Sequence, residues 1–315
     1  MAPQLPKEYK AGVFEAKGEP LTFKQVPLEL PKDGEDVVFW DWITATDSVM
    51  QVCHSDNAVQ HGLFGNSFPI TPGHEVIGDV AAVPDSEKRW KIGDRVGAPW
   101  HGGHDEAVVS VPQDVDPAEF CPLLCAGVTV FNYASTALRR QNVIAGSVVA
   151  VQGLGGLGHL ALQYASKMGY RTVAISSSSE KKQFASQLGA HDYIDASAGD
   201  IGEQLQKLGG ASCIIFTAPN QKLIPSLLQG LGPLGKLLIL AASAPVEINT
   251  ASMIQKGLSL TAWPSGHALD SEEAIEFAQV HKVNVMIEKF PLDKANEALE
   301  KMVAGKVRFR GVLIP

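Results

Sequence analysis

The stretch Ser147-Val148-Val149-Ala150-Val151-Gln152-Gly153-Leu154-Gly155-Gly156-Leu157-Gly158 decides the fold. Ser147 to Val151 reads as an apolar run, as expected of a strand covered on both faces. Gly153-x-Gly155-x-x-Gly158 follows without a break. Leu157, Leu160, Ala161, Tyr164, Ala165 and Met168 then recur at helical spacing, and Gly169 stops the helix. Glycines at this spacing permit a tight turn, close approach of main chain to a pyrophosphate, and close packing of helix on strand. The helix start adds free N–H groups and the positive end of its dipole. Gly153, Gly155, Gly156, Leu157 and Gly158 are therefore the candidate phosphate contacts of a dinucleotide. A structural glycine-rich turn is the plain alternative, and the strand–turn–helix context weighs against it.

Strands and helices alternate outward from this turn. Strands are expected at Arg171 to Ile175, Tyr193 to Asp195, Ser212 to Thr217, Lys236 to Ala241 and Leu258 to Ala262. Helices are expected at Glu180 to Leu188, Glu203 to Leu208 and Leu223 to Leu231. Such alternation gives an α/β fold with a doubly wound parallel sheet. The second strand ends at Ser176, where an acid would accept hydrogen bonds from the ribose hydroxyls of NAD. Here Ser176, Ser177 and Ser178 lead to Lys181. Hydroxyls can donate to a 2′-phosphate and a lysine can pair with it, which favours NADP over NAD. A plain loop with a solvated lysine is the alternative.

The first part of the chain differs. It is punctuated by Pro and Gly, with short strands at Ile77 to Val83 and Glu106 to Val111, so it reads as a β-rich, irregular domain. The tail carries a helix from a capping box at Asp270 and Glu273 to Val280, a helix at Asp293 to Ala304, and a final strand at Val307 to Ile314. The expected domains are 1–126 with 267–315, and 127–266.

Cys53, His74 and Cys125 lie in or beside the first domain. Two thiolates and an imidazole suit zinc, and three protein ligands with an open fourth position make a catalytic site. Their spacing carries little specificity by itself and leaves buried-core roles open.

Composition sets limits. The chain has 315 residues, is 45% hydrophobic, and carries a net charge of -8. It can build a sizeable core and lacks the basic footprint of a nucleic-acid binder. Four cysteines are too few for a disulfide framework. Neither a signal peptide nor a membrane span is recognised, so a cytoplasmic protein is expected.

Taken in order, Cys53-His54-Ser55-Asp56, Gly73-His74-Glu75, Cys121-Pro122-Leu123-Leu124-Cys125-Ala126-Gly127-Val128-Thr129 and Gly153 to Gly158 resemble the zinc-dependent medium-chain alcohol dehydrogenases, in their fungal and cinnamyl-alcohol-type branches. The resemblance covers most of the chain. It implies a GroES-like catalytic domain beside a Rossmann domain, and hydride transfer between an alcohol or aldehyde and a nicotinamide cofactor. It implies Cys53, His74 and Cys125 as ligands of one catalytic zinc, with Glu75 beside the metal and Asp56 orienting His74. Ser55 would carry the substrate's hydroxyl proton and Trp100 would wall the pocket. Thr129 would touch the nicotinamide side and Arg310 the pyrophosphate. The expected partner is a small-molecule alcohol or aldehyde. A homo-oligomer is left open.

Four departures stand beside these motifs. The family's cysteine-rich structural-zinc lobe is missing between Asp105 and Glu106, leaving His101 and His104 beside the gap, so no structural zinc is expected. The segment Val37 to Gln51 is longer than usual and lacks the family's Gly before Val52. Tyr133 to Ala145 is also longer. Ala58 stands where many relatives have a proton-relay histidine. Two further readings therefore stay open. One is a zinc-free quinone or enoyl reductase on the same fold. The other is an impaired nucleotide-binding protein arising from splicing or a gene-model error, which sequencing of the mature transcript would test.

Overall fold

The structure is a computed structural model that describes residues 6–28, 49–83, 85–100, 108–132 and 143–315. His101, His104, the junction at Asp105 and Glu106, most of Val37 to Gln51 and most of Tyr133 to Ala145 lie outside these residues. The chain divides into two compact units. The first comprises Met1–Cys125, Gly266–Gln279 and Val285–Pro315, and the second comprises Ala126–Ser265 and Val280–Asn284.

In chain order the described strands are β1 (Glu8–Phe14), β2 (Leu21–Pro27), β3 (Val49–Val52), β4 (Val76–Asp79), β5 (Arg95–Ala98), β6 (Val109–Ser110), β7 (Val148–Gln152), β8 (Arg171–Ser176), β9 (Asp192–Asp195), β10 (Ala211–Phe216), β11 (Leu231–Ile239), β12 (Ser259–Ala262), β13 (Ile287–Pro291) and β14 (Arg310–Ile314). The described helices are α1 (His54–Gln60), α2 (Pro117–Phe120), α3 (Ala126–Asn132), α4 (Gly158–Lys167), α5 (Lys182–Gln187), α6 (Ile201–Lys207), α7 (Ile224–Gly230), α8 (Thr250–Lys256), α9 (Ala268–His281) and α10 (Ala295–Val303).

The second unit is a parallel six-stranded sheet in the order β12-β11-β10-β7-β8-β9. Chain order reverses between β7 and β10, and ligands of such sheets bind at that switch point beyond the strand C-termini. The sheet is covered by α6 and α7, whose Ile201, Leu205, Ile224 and Leu227 join Ile214, Phe216 and Leu237 in one buried core. Each such side chain contributes roughly 1.5–3 kcal/mol when fully buried. The glycine-rich turn sits at the switch point. A Cβ on Gly158 would stand 1.7 Å from the Gly153 carbonyl oxygen, and one on Gly153, at φ +95°, would stand 2.7 Å from the Ala218 Cβ. Only glycine fits where the turn closes against the end of β10.

The first unit carries a six-stranded sheet in the order β13-β14-β3-β4-β5-β6, parallel only at β13–β14, and the antiparallel hairpin β1–β2. Its core gathers Phe14, Met50, Val52, Val76, Phe290, Leu299 and Leu313. α10 packs its buried Ala295, Ala298, Leu299 and Met302 into this core.

The tail differs in one detail from the sequence-based expectation. α9 begins before Asp270, because the Asp270 carboxylate accepts from the His267 N–H at 2.9 Å and so caps the helix from inside its first turn. The Asp270–Glu273 capping box is displaced by that contact. α8, β13 and the β1–β2 hairpin were not expected from periodicity. α8 has no buried residue and therefore no apolar stripe to read. Among the described residues, no helix is long and apolar enough to cross a membrane.

Candidate functional site

Three neighbouring segments of the first unit bring the metal candidates together. Cys53 follows β3 and caps α1, where its N–H donates to Asp56 Oδ2 at 2.7 Å. His74 and Glu75 precede β4, which pairs with β3. Cys125 follows a 3-10 turn over Cys121–Leu124. That turn lies close on β5 because Gly97 lacks a side chain: a Cβ there would stand 2.8 Å from Leu124.

The donor atoms of Cys53, His74, Glu75 and Cys125 all lie within 4.8 Å of one another. Two thiols, an imidazole and a carboxylate at that spacing form a donor set suited to zinc. Two atoms of the cluster, His74 Nε2 and Glu75 Oε2, are buried without a hydrogen-bond partner among the described residues. An unpartnered buried polar atom is costly, and a bound cation would satisfy both. The residues present therefore fit a metal ion.

Asp56 stands behind His74, with Oδ1 3.4 Å from Nδ1. The carboxylate therefore faces Nδ1, and Nε2, 3.7 Å from Glu75 Oε1, is the ring nitrogen on the side of the cluster. Burial would lower the His74 pKa, but the facing Asp56 carboxylate and the Cys53 sulfur outweigh it, and the pKa is raised well above the ordinary imidazole value. The Cys53 thiol is held well below its usual value, chiefly by a hydrogen bond from Cys125. Cys125 is pushed up by that same contact and then by burial. Burial also raises Glu75, against the opposing charge of Arg310.

Ser55 lies on the first turn of α1, with Oγ 3.8 Å from the Cys53 sulfur. Trp100 meets the His74 ring edge-on at a centroid distance of 4.8 Å, and Phe64 meets Trp100 at 5.7 Å. Sequence reading found Trp100 and missed Phe64, whose signal was only an apolar residue in a glycine-rich turn. Arg310, at the start of β14, is buried in this unit. One of its terminal nitrogens donates to Glu75 Oε1 at 2.7 Å and also to Gln51 Oε1. Gln51 is fully buried and was not foreseen.

The cofactor candidates lie in the second unit. Gly153 to Gly158 form the turn after β7, ahead of α4. Ser176 ends β8 and is buried, Ser177 is exposed and Ser178 half-buried. Tyr193 donates its hydroxyl to the Ser178 carbonyl. Lys181 is half-buried and donates to the Leu154 carbonyl at 3.4 Å, so the lysine lies over the glycine turn. Thr129, in α3, is buried and donates to Ser265 Oγ at 3.1 Å.

Known proteins resemble this chain in sequence and fold. The family described as alcohol dehydrogenase GroES-like domain matches residues 43–128, and the family described as zinc-binding dehydrogenase matches residues 156–280. Alcohol dehydrogenase patD of Penicillium expansum is 47% identical, with 99% of each chain covered. The chain belongs to the zinc-type medium-chain alcohol dehydrogenase family. It is thus an alcohol/aldehyde oxidoreductase. The patD alignment spans 349 positions against the 315 residues here, so that relative carries segments this alcohol dehydrogenase lacks. Among solved structures, the alcohol dehydrogenase of the archaeon Aeropyrum pernix aligns with a TM-score of 0.80 at 25% identity, over 97% of this chain and 100% of its own. A cinnamyl-type enzyme of Helicobacter pylori, solved with NADP(H), aligns with a TM-score of 0.78 at 21% identity, over 98% of both chains.

Proposed function

We propose that Cys53, His74 and Cys125 hold one catalytic zinc ion, that no second zinc is bound, and that the enzyme prefers NADP to NAD. The observation that carries this reading is the cluster of donor atoms within 4.8 Å, with His74 Nε2 buried and without a hydrogen-bond partner among the described residues. The first unit would be the catalytic domain and the second the dinucleotide-binding domain, near the boundaries 1–126 with 267–315, and 127–266. When bound, zinc supplies a Lewis acid for the substrate oxygen, and the nicotinamide supplies or accepts the hydride.

The chain's own residues do the rest. Asp56 faces the His74 ring at Nδ1, which leaves Nε2 on the side of the cluster. Ser55 Oγ is the acceptor for the proton of a substrate hydroxyl. With Ala58 in place of a histidine, that proton passes on to water. Trp100 and Phe64 give an aromatic wall that suits small primary alcohols and aldehydes. Thr129 bounds the nicotinamide side. Ser176, Ser177, Ser178 and Lys181 face the ribose phosphate, and the residue that ends β8 is a serine rather than a repelling carboxylate. Arg310, which pairs with Glu75 beside the metal site, would also meet the cofactor pyrophosphate.

The test is a purified sample analysed for zinc, then followed by absorbance of the reduced cofactor with a primary aldehyde. About one zinc per chain, with faster turnover on NADPH than on NADH, is expected. Turnover without zinc would instead mark a zinc-free reductase. Cofactor binding with zinc but without turnover would mark an impaired enzyme.

A further inference from the structure

The peptide between Gly155 and Gly156 is the part of the glycine turn with least to hold it. Neither residue carries a Cβ, so no side chain of its own opposes a flip of this peptide. A Cβ built on Gly155 would meet nothing within 4 Å, so the turn is open there to a ligand. The orientation of the peptide then matters. In a planar trans peptide the carbonyl and the N–H point opposite ways. One orientation offers an anion the Gly156 N–H, and the other offers it a carbonyl oxygen, which repels it.

His159 selects between the two. Its ring is fully buried in the first turn of α4, and Nδ1 lies 2.9 Å from the Gly155 carbonyl oxygen. A carbonyl oxygen can only accept, so this contact places a hydrogen on Nδ1. The His159 main-chain N–H donates to the same oxygen at 3.0 Å. Two donors of one residue thus hold the Gly155 carbonyl towards the helix. Gln163 anchors His159 in turn. Its amide nitrogen donates to the His159 carbonyl at 3.0 Å and to the Asn284 carbonyl at 2.8 Å, while its oxygen accepts from the Asn284 N–H at 2.8 Å. Gln163 and Asn284 belong to the same unit as the turn.

We propose that His159 is a positioning residue for the cofactor: by holding the Gly155 carbonyl towards α4, its ring keeps the Gly156 N–H turned outward to the pyrophosphate. The inference rests on the dinucleotide reading proposed above. One intramolecular hydrogen bond shifts an equilibrium by roughly three- to tenfold, and loss of the ring donor weakens cofactor binding by that factor.

The experiment measures NADPH binding to the full-length protein by quenching of tryptophan fluorescence, comparing the unaltered chain, His159→Leu and His159→Asn. Leucine fills most of the imidazole's space and has no donor. Asparagine leaves more of that space empty but presents an amide N–H where Nδ1 stands. The expected result is a Kd roughly three- to tenfold higher in His159→Leu, and within about twofold of the unaltered chain in His159→Asn. NADH carries the same pyrophosphate and should lose affinity by the same factor. A packing role alone predicts the reverse order, with the asparagine variant the weaker binder, and that order overturns the proposal. So does binding by His159→Leu within about twofold of the unaltered chain. Heteronuclear NMR of the ring nitrogens in the unaltered chain gives a second readout. A hydrogen on Nδ1 of His159 is expected, and one on Nε2 alone refutes the proposal even if His159→Leu fails to fold. If the unaltered chain binds neither NADPH nor NADH, the cofactor reading itself fails, which is a different result from equal affinities.

Discussion

Gly158→Ala tests whether the glycine turn is shaped by its own packing or by the cofactor. The new Cβ would lie 1.7 Å from the Gly153 carbonyl oxygen and 2.9 Å from Thr217 Oγ1. An ordinary carbon–oxygen contact is nearer ~3.4 Å, so backbone must move by about 1.7 Å rather than a side chain turn aside. Overpacking of this kind costs ~1–3 kcal/mol, and a clash with main chain belongs at the upper end. For a unit of this size, each kcal/mol lowers the melting temperature by about 2–4 °C, so a fall of roughly 6–12 °C is expected. Cofactor affinity, measured by quenching of tryptophan fluorescence, should fall with it. Gly155→Ala is the matched control. A Cβ there meets nothing within 4 Å and its φ is not in the left-handed region. The melting temperature should hold or rise slightly, by the ~0.4–1 kcal/mol that restricting the unfolded chain contributes. Cofactor affinity should still drop, because the open side of Gly155 is where a pyrophosphate would approach. Equal melting behaviour in the two variants would refute this account of the turn.

Three further outcomes are expected. Ser176→Asp places a carboxylate at the end of β8, and like charges ~4 Å apart cost on the order of 4 kcal/mol at an intermediate dielectric; the ratio of kcat/KM for NADPH over NADH should fall at least tenfold in steady-state assays. Asp200 caps α6 by accepting from the Glu203 N–H at 2.9 Å and from Ser226 Oγ at 2.8 Å, so Asp200→Ala should lower stability to urea by about 1 kcal/mol. The Glu203 N–H, then the Ser226 hydroxyl, hold this carboxyl below its usual value. Its contribution is therefore complete above the unfolded carboxylate range and fades as pH falls through the lower folded value, so the two proteins should converge only in strong acid. Leu234 sits at φ +57° with its side chain 73% exposed. Asparagine tolerates that conformation better, and Leu234→Asn should raise stability by ~0.5–1 kcal/mol in the same titration.

The nucleotide half was readable because its signals are local. Strand, turn and helix follow each other within Val148 to Lys167, and Gly158 is required by the Gly153 carbonyl only five positions away. The serines after β8 were readable for the same reason. The metal half was only partly so. Cys53, His74 and Cys125 could be named from motifs, but their spacing says nothing about distance in space. Pairing of β3 with β4, and the seat that Gly97 leaves for the turn before Cys125, bring those donor atoms within 4.8 Å.

Arg310 marks the limit most plainly. It lies 235 positions from Glu75, and the sequence offered a role for it only through the family resemblance, as a partner of the cofactor pyrophosphate. β14 runs antiparallel to β3, with Gly311 opposite Val52, and this register carries the guanidinium to Glu75 and Gln51. A buried charge goes to whatever opposite charge the packing offers, and no local pattern encodes that partner. The residue sequence by itself determined which chemistry the chain could carry. The sheet register decided which side chains hold it in place.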